Sequence, residues 1–253
     1  MAIGLKTSIS FCDVEGQLVF LDIEADRYFG LSPAAERVFR GLLADPASRV
    51  PASDAPAAPD PAAPDPASPD PASPDPAFPD PASSVMALMG HAQLLEMDAP
   101  AAPMPCPARA SGRESLLDRL EASDHRSSTA ATIAASLHIT SVRAQLRLRS
   151  LSGIFARLRR SKNAVRNWRH APDEALAIVA AFAASARVLR SHDQCLPRSL
   201  ALAHAFIRAG LAADLLLAVR LRPFAAHCWV EHDGLIANDR AAHVDSYQPI
   251  LIL

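Results

Sequence analysis

The 253-residue chain has almost no net charge, formally −2, so its overall electrostatics point to no partner. Its four cysteines, Cys12, Cys106, Cys195 and Cys228, lie far apart and form no CxxC pair. That spacing offers no paired metal ligands and fits a reducing cytoplasm, and no metal site is expected. The N-terminus lacks the basic-then-apolar layout of a secretory signal. The most apolar stretch, residues 175–189, is shorter than a bilayer requires and contains Ser185 and Arg187, so it reads as a buried helix and no membrane partner is expected. No GxxxxGK[ST] loop occurs, so no nucleotide site can be assigned. Half of the residues are apolar, enough for a real core.

Residues 51–81 are almost wholly Pro, Ala, Asp and Ser, in a repeat that places Asp60, Asp65, Asp70, Asp75 and Asp80 at regular intervals. Proline at this density removes amide donors and fixes φ, which predicts an extended, solvated insertion at about 46–84 rather than a fold. Before it, ISFCDV, QLVFLDI and RYFGL are β-prone runs separated by turns, a three-stranded meander. Ser32, Pro33 and Glu36 are the start signals of a helix over 33–43, and a second helix is expected over 85–97. Three strands and one helix cannot close a core, so the insertion is expected to interrupt one small domain, residues 1–109.

A second domain, residues 110–253, begins with helical patterns at 132–160, 173–190 and 195–209. Strand-like runs follow in DLLLAVRL, AHCWVEH and GLIANDR, with Asp233-Gly234 as a hairpin turn. Helices first and an antiparallel sheet afterwards make an α+β arrangement. Residues 141–170 hold nine Lys and Arg residues without one acid. They are either a solvated helix face or a docking surface for an acidic protein or peptide. Nucleic acid is not expected, because Trp168 is the only nearby aromatic able to stack bases and no nucleic-acid module pattern is present.

The chemistry centres on HDQCLPRSLAL. Cys195 opens a predicted helix, where free amides and the macrodipole stabilise a thiolate. His227 stands in a following strand, and Asp239 lies beyond the Asp233-Gly234 turn, from which it can return beside His227. A nucleophile, a base and a group that orients the base are what cysteine catalysis needs. Each residue also has a plain reading, as core cysteine, satisfied histidine or turn aspartate, and His192, His204, His232, His243, Asp233 and Asp245 are nearby rivals.

The segments CLPRSLALAHAFIRAGL, RPFAAHCWVEHDG, IANDR and SYQPIL resemble, in order and spacing, the leader peptidases of lasso-peptide biosynthesis, the B proteins. Their fold is the transglutaminase-like branch of the papain-type cysteine proteases. The resemblance puts the nucleophile on Cys195, the histidine on His227 and the acid on Asp239; the Cys195 amide and Gln194 are candidates for the oxyanion. Cys228 stands where that family usually has a small residue, and alternation sends it to the face opposite His227. VFLDIEADRYFGLSPAAERVF looks like the winged-helix-like recognition domain of such proteins, whose leader peptide adds as a strand. The docking edge would then be Arg27, Tyr28, Phe29, Gly30 and Leu31, some of which alternation must send into the core. The resemblance implies a cytoplasmic peptidase that binds and cuts a precursor peptide, a partner cyclase of the asparagine-synthetase-like type, and ATP dependence with no recognisable ATP site in this chain. A transglutaminase-like acyltransferase, or a scaffold in which Cys195 is idle, are the alternatives.

Overall fold

The computed structural model describes residues 3–44, 95–97, 104–109, 114–188 and 194–253. The chain divides into two compact units, residues 1–6 with 31–103, and residues 7–30 with 104–253.

In the first unit, β1 (Ile3–Leu5) pairs antiparallel with β5 (Leu95–Met97). Helix α1 (Pro33–Ala44) starts where its cap predicts: the Ser32 hydroxyl accepts the Ala35 amide at 3.3 Å and the Ser32 carbonyl accepts that of Glu36 at 2.8 Å. The helix expected over 85–97 is corrected at its end, since residues 95–97 are a strand whose main chain is taken up by β1. Residues 85–94 and the proline-rich insertion lie outside the described residues.

The second unit contains the meander, β2 (Ile9–Val14), β3 (Gln17–Asp22) and β4 (Arg27–Gly30), in the order β2-β3-β4. Its two faces are both apolar, which is why QLVFLDI is nearly continuous rather than alternating. On one face Phe11, Phe20 and Phe29 sit opposite one another in register and stack at 5.4 and 5.3 Å. On the other, Cys12, Val14, Val19 and Leu21 enter the same core as Leu200, Leu217 and Val219.

That core is closed by helices α2 (Leu116–Glu121), α3 (Thr129–Leu148), α4 (Leu151–Asn163), α5 (Pro172–Val188) and α6 (Cys195–Arg208). Ser115, Ser128 and Ser150 cap the first three of these through their hydroxyls. A four-stranded antiparallel sheet follows, in the order β8-β7-β6-β9: β6 (Asp214–Leu221), β7 (Phe224–His232), β8 (Leu235–Ile236) and β9 (Gln248–Ile252), with α7 (Ala241–Val244) before the last strand. GLIANDR contributes only the two residues of β8. The QPILI run is a strand that the sequence pattern did not flag; β9 is an edge strand, the place where Pro249 is tolerated. The chain is thus α+β, with an N-terminal three-stranded sheet and helices preceding a C-terminal sheet. Among the described residues, no helix is long and apolar enough to cross a membrane.

Candidate active site

Cys195 is the first residue of α6, and Gln194 before it makes no side-chain cap bond, so the free amides of the first turn have no competing side chain. Alternation along β7 sends His227 and Trp229 to one face, where Trp229 packs with Leu216, Ala218 and Val244 and the His227 ring lies 5.3 Å from that of Tyr247. Cys228 and Val230 point to the other face, into the core beneath α6. Cys195 sits at the border, in hydrogen-bond contact with the side chains of both His227 and Cys228.

His227 Nε2 is hydrogen-bonded to Asp239 Oδ2, which leaves Nδ1 as the nitrogen free for Cys195. Asp239 is held in turn: Oδ1 accepts the Arg240 amide at 2.7 Å, and His243 Nδ1 lies 3.0 and 3.1 Å from Oδ2 and Oδ1. The neighbouring Asn238 ties the parts together. Its Oδ1 accepts the Val230 amide at 2.8 Å, its Nδ2 donates to Ser199 Oγ at 2.8 Å, and Ser199 Oγ donates to the Cys228 carbonyl at 3.0 Å. One buried network therefore fixes α6, β7 and the Asp239 loop against each other.

This environment separates the protonation states. The Cys195 thiol is lowered to about 4, first by the hydrogen bond from the Cys228 side chain; burial opposes the shift, and the hydrogen bond and charge of His227 add to it. Burial also opposes the charge on His227, but hydrogen bonds to Asp239 and Cys195 outweigh it and raise the imidazole to about 9. Asp239 is lowered although burial works against it, because His227, the Arg240 amide and His243 all bond to it. Burial pushes the enclosed Cys228 thiol well up, so it remains protonated and able to donate. Cys12 and Cys106 are pushed up, chiefly by burial, to about 12 and about 11. Only Cys195 among the four is poised as a thiolate, beside an imidazolium.

Gln194 adjoins it, 4% exposed, with both amide atoms lacking a hydrogen-bond partner among the described residues. The proposed docking residues divide. Arg27 is exposed with its guanidinium 5.7 Å from the centre of the Phe29 ring, and Phe29 faces Phe20. Tyr28 alternates to the other face, edge-on to Phe224 at 5.7 Å, and its hydroxyl is held protonated first by burial and then by Cys228, Asp26 and Cys195. Gly30 ends β4, while Leu31 belongs to the other compact unit. Cys228, Asn238, His243 and Tyr247 all shape the site without having been assigned a role from sequence. For His243 the signal was its spacing of four residues from Asp239; for Asn238 it was adjacency. His227, Asp239 and His243 bring possible ligand atoms within 4.8 Å of one another. A cation there would displace the proton of the His227–Asp239 hydrogen bond, so metal binding and acid–base work would compete.

Residues 138–252, from within α3 to β9, match the family model described as Transglutaminase-like superfamily, and the matched region contains Cys195, His227 and Asp239. No curated protein and no solved structure matches the chain.

Proposed function

Starting from a transglutaminase-like C-terminal domain at residues 138–252, we propose that this chain is a cysteine peptidase that removes the leader from a ribosomally made precursor peptide. The observation that carries the reading is the Cys195 thiolate held between the Cys228 thiol and an imidazolium whose other nitrogen is bonded to Asp239. The thiolate attacks the leader–core amide carbonyl. His227 Nδ1, already protonated, gives its proton to the leaving amine, leaving a thioester on Cys195 and a neutral imidazole. Water then gives a proton to Nδ1 as it attacks the thioester, releasing the leader carboxylate and restoring the ion pair. Asp239 stays ionised throughout and keeps the imidazole oriented. The oxyanion meets the Cys195 amide at the α6 start, with Gln194 Nε2 as a second donor. The leader docks as an added strand at Arg27 to Leu31, and the freed core amine passes to a partner cyclase of the asparagine-synthetase-like type.

The family match also suits acyl transfer, in which the same thioester is taken by an amine instead of water. Mass spectrometry of candidate precursor peptides, with oxygen-18 water as solvent, separates the two: hydrolysis labels the leader carboxylate, and transfer to an amine does not. Cys195→Ala should leave the precursor whole while Cys12→Ala and Cys106→Ala still cut it. Cleavage that persists in Cys195→Ala removes the assignment.

A further inference from the structure

Some cations of the second unit are answered by acids. Arg119 pairs with Glu114, Lys162 with Asp214, Arg169 with Glu174, and Arg240 with Asp118 and Glu121. Arg143, Arg147, Arg149, Arg157 and Arg160 have no ion-pair partner among the described residues, with Arg160 reaching only the Ala156 carbonyl, at 3.4 Å, and they are set apart from other such arginines by lining hollows of the surface. Their spacing along α3 and α4 puts Arg143 and Arg147 one turn apart, and likewise Arg157 and Arg160.

These arginines border two hollows. One, of about 480 Å³, is lined by Arg143, Arg147 and Arg149, with Glu24 and Asp26 as its acids, and by Leu196 and Pro197. The other, of about 490 Å³, is lined by Arg149, Arg157 and Arg160 and by no acid. Arg149 borders both, so the two hollows are neighbours along one basic track of the surface. Leu196 and Pro197 directly follow Cys195 on α6, so the first hollow lies at the N-terminal turn of the helix that carries the nucleophile, although Cys195 itself lines neither hollow. The positive charge is crowded enough that Arg198, lowered first by burial, is lowered further by Arg143.

We propose that this track binds an acidic segment of the peptide substrate, several residues removed from the bond that Cys195 cuts, and so selects substrates by charge. The inference rests on the peptidase reading. Guanidinium groups present forked donors that match carboxylates, and an incoming acid would relieve the mutual repulsion of the five arginines. Glu24 and Asp26 offset the charge of the hollow nearest Cys195, so the strongest anion position is the second hollow. No aromatic side chain lines either hollow, so there is no platform for stacking bases.

The test uses the full chain and fluorescein-labelled probes: an alternating Glu-Ala peptide extended at either end by a neutral Gly-Ser segment, its Gln-Ala and Lys-Ala counterparts, and oligo-dT. Anisotropy should show the Glu-Ala peptide bound more tightly than the other two peptides, with affinity falling as salt rises. Arg157→Glu combined with Arg160→Glu should weaken it at least about tenfold, while Arg159→Glu, exposed on the same helix but outside both hollows, should change it about twofold or less. The same peptide should slow alkylation of Cys195 by iodoacetamide in the unaltered protein. Equal binding of Glu-Ala and Gln-Ala peptides, or indifference to the paired reversal, overturns the proposal. Binding that leaves Cys195 alkylation unchanged overturns it in favour of a docking face for an acidic protein, and tighter binding of oligo-dT does so in favour of nucleic acid. If no precursor is cut, yet the acidic peptide binds and shields Cys195, the peptidase reading fails and the anion track stands.

Discussion

Replacing Cys228 by alanine tests how the thiolate is made. The Cys228 thiol is the largest single influence lowering Cys195, and it can act only because its own burial keeps it protonated. A hydrogen bond to a charged group contributes about 1.5–3 kcal/mol, and about 1.4 kcal/mol corresponds to one pKa unit, so Cys228→Ala should raise Cys195 from about 4 by roughly 1–2 units. The thiolate would still dominate at neutral pH. Thiolate nucleophilicity toward disulfides rises with pKa with a slope of about 0.4–0.5, so the variant should react about three- to eightfold faster near pH 7, not more slowly. Stopped-flow reaction with 4,4′-dithiodipyridine across the acid range reads both effects at once: the midpoint of the rate profile moves up while the plateau rises. Cys12 and Cys106, held protonated by burial, give only a slow background. An unchanged midpoint in Cys228→Ala would refute the account, because His227 and the helix start would then suffice to hold the thiolate.

The catalytic pH profile should be a broad plateau. Activity falls as pH drops through about 4, where Cys195 takes up a proton, and as pH rises through about 9, where His227 loses the proton owed to the leaving amine; an alkaline limb near 6.5 would contradict the ion pair. Asp239→Asn removes the carboxylate that raises His227, so the alkaline limb should move to lower pH and kcat should drop by about 10²- to 10⁴-fold, whereas His243→Ala, which removes one of three hydrogen-bond partners of the Asp239 carboxylate, should cost only about fivefold. Steady-state kinetics of both variants on the same precursor would show equal losses if the two groups were interchangeable. Gln194→Leu removes a buried amide that makes no hydrogen bond among the described residues, so the melting temperature should hold or rise while kcat falls by about 10²-fold if Nε2 meets the oxyanion; unchanged kcat would strike Gln194 from the site.

Local chemistry specifies much of this chain without reference to long-range contacts. The meander was legible because β-branched and aromatic runs are cut by turn residues, and the β7–β8 reversal because Asp233 and Gly234 take φ of 49° and 79°, as an Asp-Gly turn requires. Ser32 and Pro33 marked the start of α1, and Cys195 that of α6, for reasons contained within a few residues. The strand at 95–97 was not legible, because its pairing with residues 3–5 overrides local preference. Nor was β9, which a proline at its second position disguises.

At the site, sequence order and the resemblance named Cys195, His227 and Asp239, but their state is a property of packing. Alternation correctly sent Cys228 to the face opposite His227. It could not show that this face lies under α6, where a buried thiol meets Cys195 and becomes its strongest support. Likewise only the packing of α6 on β7 brings Ser199, Asn238 and the Cys228 carbonyl into one chain of hydrogen bonds, and only the turn into α7 lays His243 on Asp239. Sequence spacing determines which residues share a helix face or a strand face; burial and proximity across elements determine which of them is charged. Proton affinities depend on the second kind of information, which the tertiary structure alone contains.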